Sequence, residues 1–331
     1  MTCSSVSAAL LSLLLPVGAW AAVQIKIATL APEGTSAMKT MRQVDEEVKA
    51  KTKGALSFKF YAGGRQGDEK DVVRKIRMGQ LHAGGFTGVG LGEIAPEVRV
   101  VDGPWLFRDS QEVDFIYGLF AKDFEKALAD KGYVLLGWTE VGFVYVFSKT
   151  PVRSAPEIAK LKLWLWEGDP IAEAALKAID AHPIPLSVTD VNTSLQTGML
   201  DAVYGPPLYV MSLQWHEKMK CLFKLSLANA SGAVLLSKKL FDTLPADQQA
   251  ILLETSRKHL RKLNDLTRQE NAAAVETLRK QGFTVTTASR SDAAVFDAAG
   301  VKARRALVGK MYSADFLDRV EKALAERRAK K

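Results

Sequence analysis

Two tryptophans and a carboxylate within ten residues are the side chains of this chain best suited to hold another molecule. Residues 161–170 read LKLWLWEGDP, and their alternation predicts a strand with Trp164 and Trp166 on one face. Asp169 suits a helix N-cap and Pro170 suits the first helical position, so a helix is predicted to begin directly after the strand. A strand end that carries rings and faces a helix N-terminus predicts a binding site.

The sequence contains no arrangement of residues typical of a catalytic centre. The four histidines lie far apart, and none forms an HExxH or His-x-His pair that would ligate a metal. No GxSxG motif occurs, and Cys221 has no neighbouring motif that would stabilise a thiolate. The glycines of residues 63–67 lack the ending of a phosphate loop. We therefore predict a binding protein that is not an enzyme and that needs neither a cofactor nor a metal.

Two long segments resemble one family of bacterial receptors. Residues 160–203, KLKLWLWEGDPIAEAALKAIDAHPIPLSVTDVNTSLQTGMLDAV, are similar to the DctP-type solute receptors of TRAP transporters, whose pattern is roughly LKGLKIRV.GSP, a helix, A.PVP and EVYTALQTGVVDGQENP. Residues 64–107, GRQGDEKDVVRKIRMGQLHAGGFTGVGLGEIAPEVRVVDGPWLF, are similar to GG.LGDE.E..E.VR.G.LD followed by PFLF. The resemblance implies an α/β, two-lobed periplasmic-binding-protein fold of type II, or venus flytrap, that closes on a small molecule and delivers it to TRAP membrane subunits.

The chain departs from the family pattern at three places where polar residues bind the solute. Trp164 replaces the arginine that binds the substrate carboxylate, which removes a bidentate partner for an acid. Gly205 replaces an asparagine that assists it, and Gly142-Phe143-Val144 replaces a pattern with a further arginine. Apolar surface gains about 25 cal/mol per Å² when it leaves water. We therefore expect a largely apolar or weakly anionic ligand, aromatic or lipid-like.

The resemblance also implies which residues meet at the ligand. A polar end of the ligand is expected at a helix N-terminus or at one of the polar candidates. The candidate ligand-binding residues are Arg65, Gln66, Phe86, Thr87, Trp105, Trp138, Phe143, Trp164, Trp166, Asp169, Tyr204, Gly205 and Tyr209.

Three alternatives stay open. Trp164 and Trp166 could fill a hydrophobic core while another basic residue binds a carboxylate, which would make the protein a conventional organic-acid receptor with a relocated anion clamp. One branch of the family pairs with tetratricopeptide-repeat proteins and is thought to take hydrophobic ligands, so such a periplasmic TPR protein is a candidate partner. The chain could also be a periplasmic interaction protein that no longer transports a solute.

The elements that must position these residues begin with a βαβ unit. Strands are predicted at 23–29 and 56–61, with a helix between them that starts at Thr35 or Ser36. The glycines between 84 and 92 predict a flexible stretch. From Pro245 to Gln281 there is no Gly and no further Pro, which predicts one helix of about 55 Å. The resemblance implies that this helix braces both lobes. Two shorter helices with an unsignalled break are the alternative.

Length and charge bound the organisation of the chain. With 331 residues the chain is longer than a single hydrophobic core usually supports, so two lobes are predicted. Lobe I is expected at 23–147 and 235–275, and lobe II at 148–234 and 276–331. The formal charge of +8 is concentrated near the C-terminus without interleaved aromatic residues, which argues against nucleic-acid binding.

Residues 1–22 are predicted to be an export signal. The apolar run Val6–Val17 is followed by Ala19-Trp20-Ala21, which fits the small-x-small rule for cleavage after Ala21 or Ala22. The run is shorter than the roughly 20 apolar residues of a membrane span. We therefore expect a soluble mature protein in the periplasm.

Overall fold

Within residues 22–330, which the computed structural model describes, the chain forms nine strands and thirteen α-helices. The signal predicted at 1–22 lies outside these residues except for Ala22. The strands are β1 Val23–Thr29, β2 Leu56–Tyr61, β3 Ala83–Thr87, β4 Tyr133–Ser148, β5 Trp164–Trp166, β6 Ile184–Leu186, β7 Ala202–Gly205, β8 Cys221–Ser237 and β9 Thr284–Thr286. The helices are α1 Ser36–Lys51, α2 Glu69–Arg77, α3 Gly88–Ile94, α4 Ser110–Leu119, α5 Ala121–Asp130, α6 Ala155–Ile158, α7 Pro170–Ala178, α8 Val191–Thr197, α9 Pro207–Ser212, α10 Lys238–Phe241, α11 Ala246–Lys280, α12 Arg290–Ala306 and α13 Ala314–Ala329.

Two long antiparallel strands connect the two ends of the molecule. The main sheet has the order β2-β1-β3-β8-β4-β7, with β9 paired to β8, while β5 and β6 form a separate parallel pair. β4 and β8 have 16 and 17 residues. At one end β8 pairs with β3, and at the other end β4 pairs with β7 while β8 pairs with β9. The sheet therefore extends through both lobes of the predicted α/β fold.

The pattern of the sequence indicates strands only at 143–148 and 233–237 in these regions, and both strands are much longer in the structure. Three register shifts interrupt the pairing of β4 with β8, one of them between Glu140 and Gly142. Such bulges insert an extra residue and reverse the alternation of faces, which hides a long strand from a period-two pattern. Gly142 has φ +123°, a backbone conformation that other residues rarely adopt.

The predicted βαβ unit is confirmed. β1 and β2 pair in parallel, and α1 begins where the Thr35 side chain accepts a hydrogen bond from the Met38 backbone N–H. Met41, Val44 and Val48 are buried on one face of α1, which packs on the sheet through a core shared with β1 and β2. The helical spacing of apolar residues in the sequence therefore identifies the buried face of α1 correctly.

The glycines between 84 and 92 do not form a flexible stretch, so that expectation is wrong. They lie in β3 and α3, where a Cβ atom at Gly84 or at Gly90 would approach the Phe86 ring to 2.3 or 2.4 Å. The ring is 3% exposed and belongs to a large core. These small residues make room for packing, which glycine composition alone cannot distinguish from flexibility.

The long helix is a single element, and the alternative of two shorter helices is wrong. α11 has 35 residues, which corresponds to about 52 Å at 1.5 Å per residue. Its Leu252 and Leu260 belong to the core built on β1 and α1, while Val275 and Leu278 belong to the core that contains Trp164. The helix therefore contributes to the packing of both lobes, as predicted. In the described part of the chain no helix has the length and apolar character needed to cross a bilayer.

Candidate functional site

A cavity of about 100 Å³ lies between β3, α3 and the 3-10 segment Pro96–Asp102 on one side and β5, α7 and β7 on the other. One face of α7 supplies much of its apolar lining, and the middle of β8 closes it from another side. The candidate residues that line this cavity are Thr87, Trp105, Trp164, Trp166, Asp169, Tyr204, Gly205 and Tyr209.

The other five candidates lie elsewhere. Phe86 lines a second cavity of about 600 Å³, which borders the first through Thr87, Val141 and Tyr209. Trp138 lines a third cavity of about 560 Å³ beside α11, where its ring contacts Tyr117 edge-on at 4.9 Å. The remaining three line none of these cavities: Phe143 packs against a core, Arg65 is exposed, and Gln66 accepts two hydrogen bonds from the Lys75 ammonium.

Trp164 is both a lining residue and a core residue. It is 1% exposed, its ring stacks on Tyr204 at 5.0 Å, and it meets Trp215 edge-on at 5.0 Å. Its Nε1 donates to the Leu186 carbonyl oxygen at 2.9 Å, so the indole has no unsatisfied polar atom. The predicted alternation of side chains between the two faces of the strand is confirmed, because Leu163 and Leu165 belong to a different core from Trp164.

Asp68 receives a set of hydrogen bonds from the opposite side of the cleft. Its Oδ2 accepts from Trp166 Nε1 at 3.1 Å, from Ser187 Oγ at 2.6 Å and from the Val188 backbone N–H at 3.3 Å. Its Oδ1 accepts from the Glu69 backbone N–H at 2.6 Å and caps α2. One buried carboxylate therefore joins α2 to β5 and to the segment after β6.

A buried ion cluster lies in the cavity wall. Arg99 is 5% exposed, and it donates from Nε to Asp102 Oδ2 at 2.8 Å and from Nη1 to Asp169 Oδ1 at 2.6 Å. Asp169 also caps α7 as predicted, by accepting from the Ile171 backbone N–H at 3.1 Å. Burial raises the pKa of Asp102, and the Arg99 guanidinium and the Ser231 N–H oppose that rise. One guanidinium is thus shared between two carboxylates.

Several buried polar atoms at the cavity have no partner among the described residues. They are Trp105 Nε1, the Tyr209 hydroxyl and both amide atoms of Asn229, a 1% exposed residue that also lines the third cavity. Buried polar groups are nearly always hydrogen-bonded, and leaving one unsatisfied costs about 1–3 kcal/mol. A bound water or a polar group of a ligand would satisfy these atoms.

Glu69 lines the second cavity, next to the junction of the two. Its carboxylate accepts hydrogen bonds from the Thr87 backbone N–H at 2.7 Å, the Thr87 hydroxyl at 3.0 Å and the Gly90 backbone N–H at 2.7 Å. Burial nevertheless raises the pKa of Glu69 from 4.5 to about 7, because desolvation outweighs these donors. Through its three hydrogen bonds, Glu69 connects the start of α2 to the junction of β3 and α3.

Stability is expected to fall with rising pH through the titration of Glu69. A carboxyl whose pKa is higher in the folded state holds more protons there, so the free energy of unfolding decreases between pH 4.5 and about 7, by about 3 kcal/mol in all. Glu69→Gln should remove this pH dependence of the free energy of unfolding, whether or not the substitution changes the stability at a single pH. Urea denaturation across this pH range measures it, with Glu93→Gln at an exposed position of α3 as the control. An unchanged slope in Glu69→Gln would contradict the assignment.

Sequence reasoning missed Arg99, Asp102 and Asn229. Arg99 stands between Val98 and Val100 in an otherwise apolar run, and a lone arginine in such a run is a signal for a buried ion pair. Asn229 gives no comparable signal. Within residues 22–330 no three His, Cys, Asp or Glu side chains are placed to hold a metal ion.

Comparison with known proteins agrees with this architecture. The profile of the bacterial extracellular solute-binding proteins, family 7, named DctP, matches residues 27–310. A solute-binding protein of Verminephrobacter eiseniae is 27% identical over 243 residues, 72% of each chain. The 2,3-diketo-L-gulonate-binding periplasmic protein YiaO of Escherichia coli K12 is 25% identical over 248 residues, 74% of this chain and 75% of the relative. A crystal structure of a TRAP periplasmic solute binding protein from Xanthobacter autotrophicus Py2, with bound β-D-galacturonate, matches with a TM-score of 0.84 at 21% identity, over 90% of this chain and 99% of the other.

Proposed function

Because this chain belongs to family 7 of the bacterial extracellular solute-binding proteins, the DctP family, we propose that it binds a largely apolar organic ligand between its lobes and delivers it to TRAP membrane subunits. It is an extracytoplasmic solute receptor and not an enzyme. We further propose the lobe boundaries given above, export to the periplasm and cleavage after Ala21 or Ala22. In this division Asp68 lies in lobe I and its partners Trp166, Ser187 and Val188 lie in lobe II.

The proposal depends on one observation: the charged groups that line the cavity are already paired with one another. Among the described residues that line it, Arg99 is the one cation, and it is already bound to Asp102 and Asp169. A carboxylate ligand would place a third negative charge beside one guanidinium, which is costly at low dielectric.

Most of the remaining wall is apolar. The indole of Trp164 lines the cavity together with Ile171 and Leu176 of α7 and with Ile179, which follows the last residue of that helix. Removing such surface from water favours binding by about 25 cal/mol per Å². A ligand with a ring or a short hydrocarbon body gains this term, whereas a small diacid cannot.

A conventional organic-acid receptor is the second candidate, and Arg99 is the residue that favours it. Two of the similar proteins are associated with sugar acids: YiaO is named for 2,3-diketo-L-gulonate, and the Xanthobacter autotrophicus protein has bound β-D-galacturonate. Arg99 would act as the relocated clamp if Nη1 exchanged Asp169 for a ligand carboxylate. Arg65, the one basic residue among the candidates from the sequence, is exposed and lines none of the three cavities.

Mass spectrometry of small molecules extracted from the protein, purified from its native host, tests the ligand class. We expect an aromatic or aliphatic compound without a second carboxylate. Thermal-shift measurements with galacturonate and with succinate test whether organic acids bind, and neither acid is expected to raise the melting temperature. A rise with either acid that Arg99→Met abolishes and Arg65→Ala leaves intact would establish the organic-acid receptor instead.

The third candidate, a periplasmic interaction protein, makes a different prediction. It requires a stable complex with a protein in pull-downs from the native periplasm and no extracted small molecule. A tetratricopeptide-repeat protein recovered together with a bound apolar ligand would instead support transport with an auxiliary partner.

A further inference from the structure

The third cavity, of about 560 Å³, lies between α4, the first half of β4 and α11. Its deep part is apolar, because the lining residues Val113, Leu135 and Leu260 are all buried. Trp138 and Tyr117 add two partly buried rings that meet edge-on at 4.9 Å. A flat apolar molecule would therefore leave water when it enters this cavity.

The charged residues that line the third cavity balance one another. The carboxylates are Asp114, Glu125 and Glu140, and the cations are Arg257, Arg261 and Arg268. Arg268 binds two of these carboxylates at 2.6 and 2.5 Å, and Arg257 binds the other at 3.1 Å. Arg261 is exposed, so solvent and salt screen its charge. A charged ligand therefore gains little here, whereas an uncharged ligand avoids the cost of burying a charge.

Asn229 brings two unused hydrogen-bonding groups to the third cavity. It is 1% exposed, and neither its Nδ2 nor its Oδ1 has a partner among residues 22–330. On β8 it shares a face with Ala233 and Leu235, which belong to the same core as α4. The amide therefore faces the α4 side of the sheet, where this cavity lies. Buried amides nearly always have partners, so these two atoms are open to a bound molecule.

We infer that the third cavity is a second binding site, for an uncharged, flat ring that carries an N–H beside a carbonyl group, as a lactam does. The amide of an asparagine has a donor and an acceptor side by side, so it forms two parallel hydrogen bonds with such an edge. The body of the ring packs against Trp138 in the apolar part of the cavity. This site does not depend on the proposed function, which concerns a ligand in the first cavity.

Isothermal titration with 2-quinolone and 1-methyl-2-quinolone tests this inference, because the methyl group replaces only the N–H. We expect 2-quinolone to bind at least tenfold more tightly than its methyl derivative. Quinoline-2-carboxylate, an anion of similar shape, is also expected to bind at least tenfold more weakly. The inference is overturned if either comparison compound binds as tightly as 2-quinolone, or if 2-quinolone does not bind. Such a failure leaves the proposed function untouched, because the extraction experiment tests that function separately.

Asn229→Leu separates recognition from folding. It keeps the approximate shape of the side chain and removes both unpartnered atoms, so the ligand-free protein should melt at the same or a higher temperature. The affinity for 2-quinolone should nevertheless fall at least tenfold. Asn192→Leu, at an exposed position of α8, is the control and should leave this affinity unchanged. An unchanged affinity in Asn229→Leu would overturn the assignment.

Because Asn229 also lines the first cavity, two further variants each add bulk to one cavity. Gly118 is an exposed lining residue of the third cavity, and a Cβ atom there would meet no atom within 4 Å. Gly118→Leu should therefore be tolerated and should weaken 2-quinolone binding at least fivefold. Ala172 lines the first cavity, so Ala172→Leu should leave that binding unchanged. A loss in Ala172→Leu, or none in Gly118→Leu, would overturn the assignment.

Discussion

Trp164→Ala is expected to lower the free energy of unfolding by about 3–5 kcal/mol, the range for truncating a large buried aromatic residue. The indole is 1% exposed, and the substitution removes its contacts with Tyr204, Trp166 and Trp215. It also leaves the Leu186 carbonyl oxygen without the Nε1 donor. Urea denaturation followed by far-UV circular dichroism measures the loss.

Trp164→Phe is the matched control for that prediction. It keeps an aromatic ring beside Tyr204 and removes only the Nε1 donor and part of the volume, so less than half of the loss is expected. A change below about 1 kcal/mol in Trp164→Ala would show that the ring does not support the core. Because the residue also lines the cavity, ligand affinity should fall by about 2 kcal/mol in protein that remains folded.

Arg99→Met is expected to destabilise the protein by about 3–5 kcal/mol at neutral pH, because it leaves two buried carboxylates without a cation. The deficit relative to the wild type should shrink as the pH falls. Without the guanidinium, burial raises the pKa of Asp102 further above its unfolded value, so the folded variant binds more protons and gains stability on acidification. Denaturation curves between pH 5 and 8 measure both effects.

A second substitution shows whether the carboxylates cause this loss. Arg99→Met combined with Asp102→Asn removes one uncompensated charge and should recover part of the stability at neutral pH. Arg65→Met, at an exposed position, should stay within about 0.5 kcal/mol of the wild type. A deficit in Arg99→Met that does not change with pH would indicate lost packing instead of unpaired charge.

Local signals predicted much of the fold correctly. The cap at Thr35 and the Asp169-Pro170 helix start depend on a few adjacent residues, and the run from Pro245 to Gln281 depends on the absence of Gly and of a further Pro; the structure reproduces all three features. The long strands β4 and β8 were only partly predicted, because their bulges and non-local pairing are absent from any short window.

Several candidate residues line one cavity, whereas Arg99, Asp102 and Asn229, which line the same cavity, were not among the candidates. Resemblance placed Trp105, Trp164 and Tyr204 at one cavity, although they lie far apart in the chain. The charged and amide groups beside them, Arg99 and Asn229, come from a 3-10 segment and from the middle of β8. Their proximity depends on tertiary packing, which one sequence does not reveal.

The Asp68 carboxylate has a consequence for the timing of delivery. It accepts hydrogen bonds from Trp166, Ser187 and Val188, yet it lines none of the three cavities. These three bonds cross between the proposed lobes, so they must break together when the lobes separate. On the proposed function, the time a ligand stays in the receptor would therefore depend on a carboxylate that lines none of the three cavities. Retention and selectivity would then be determined by different residues.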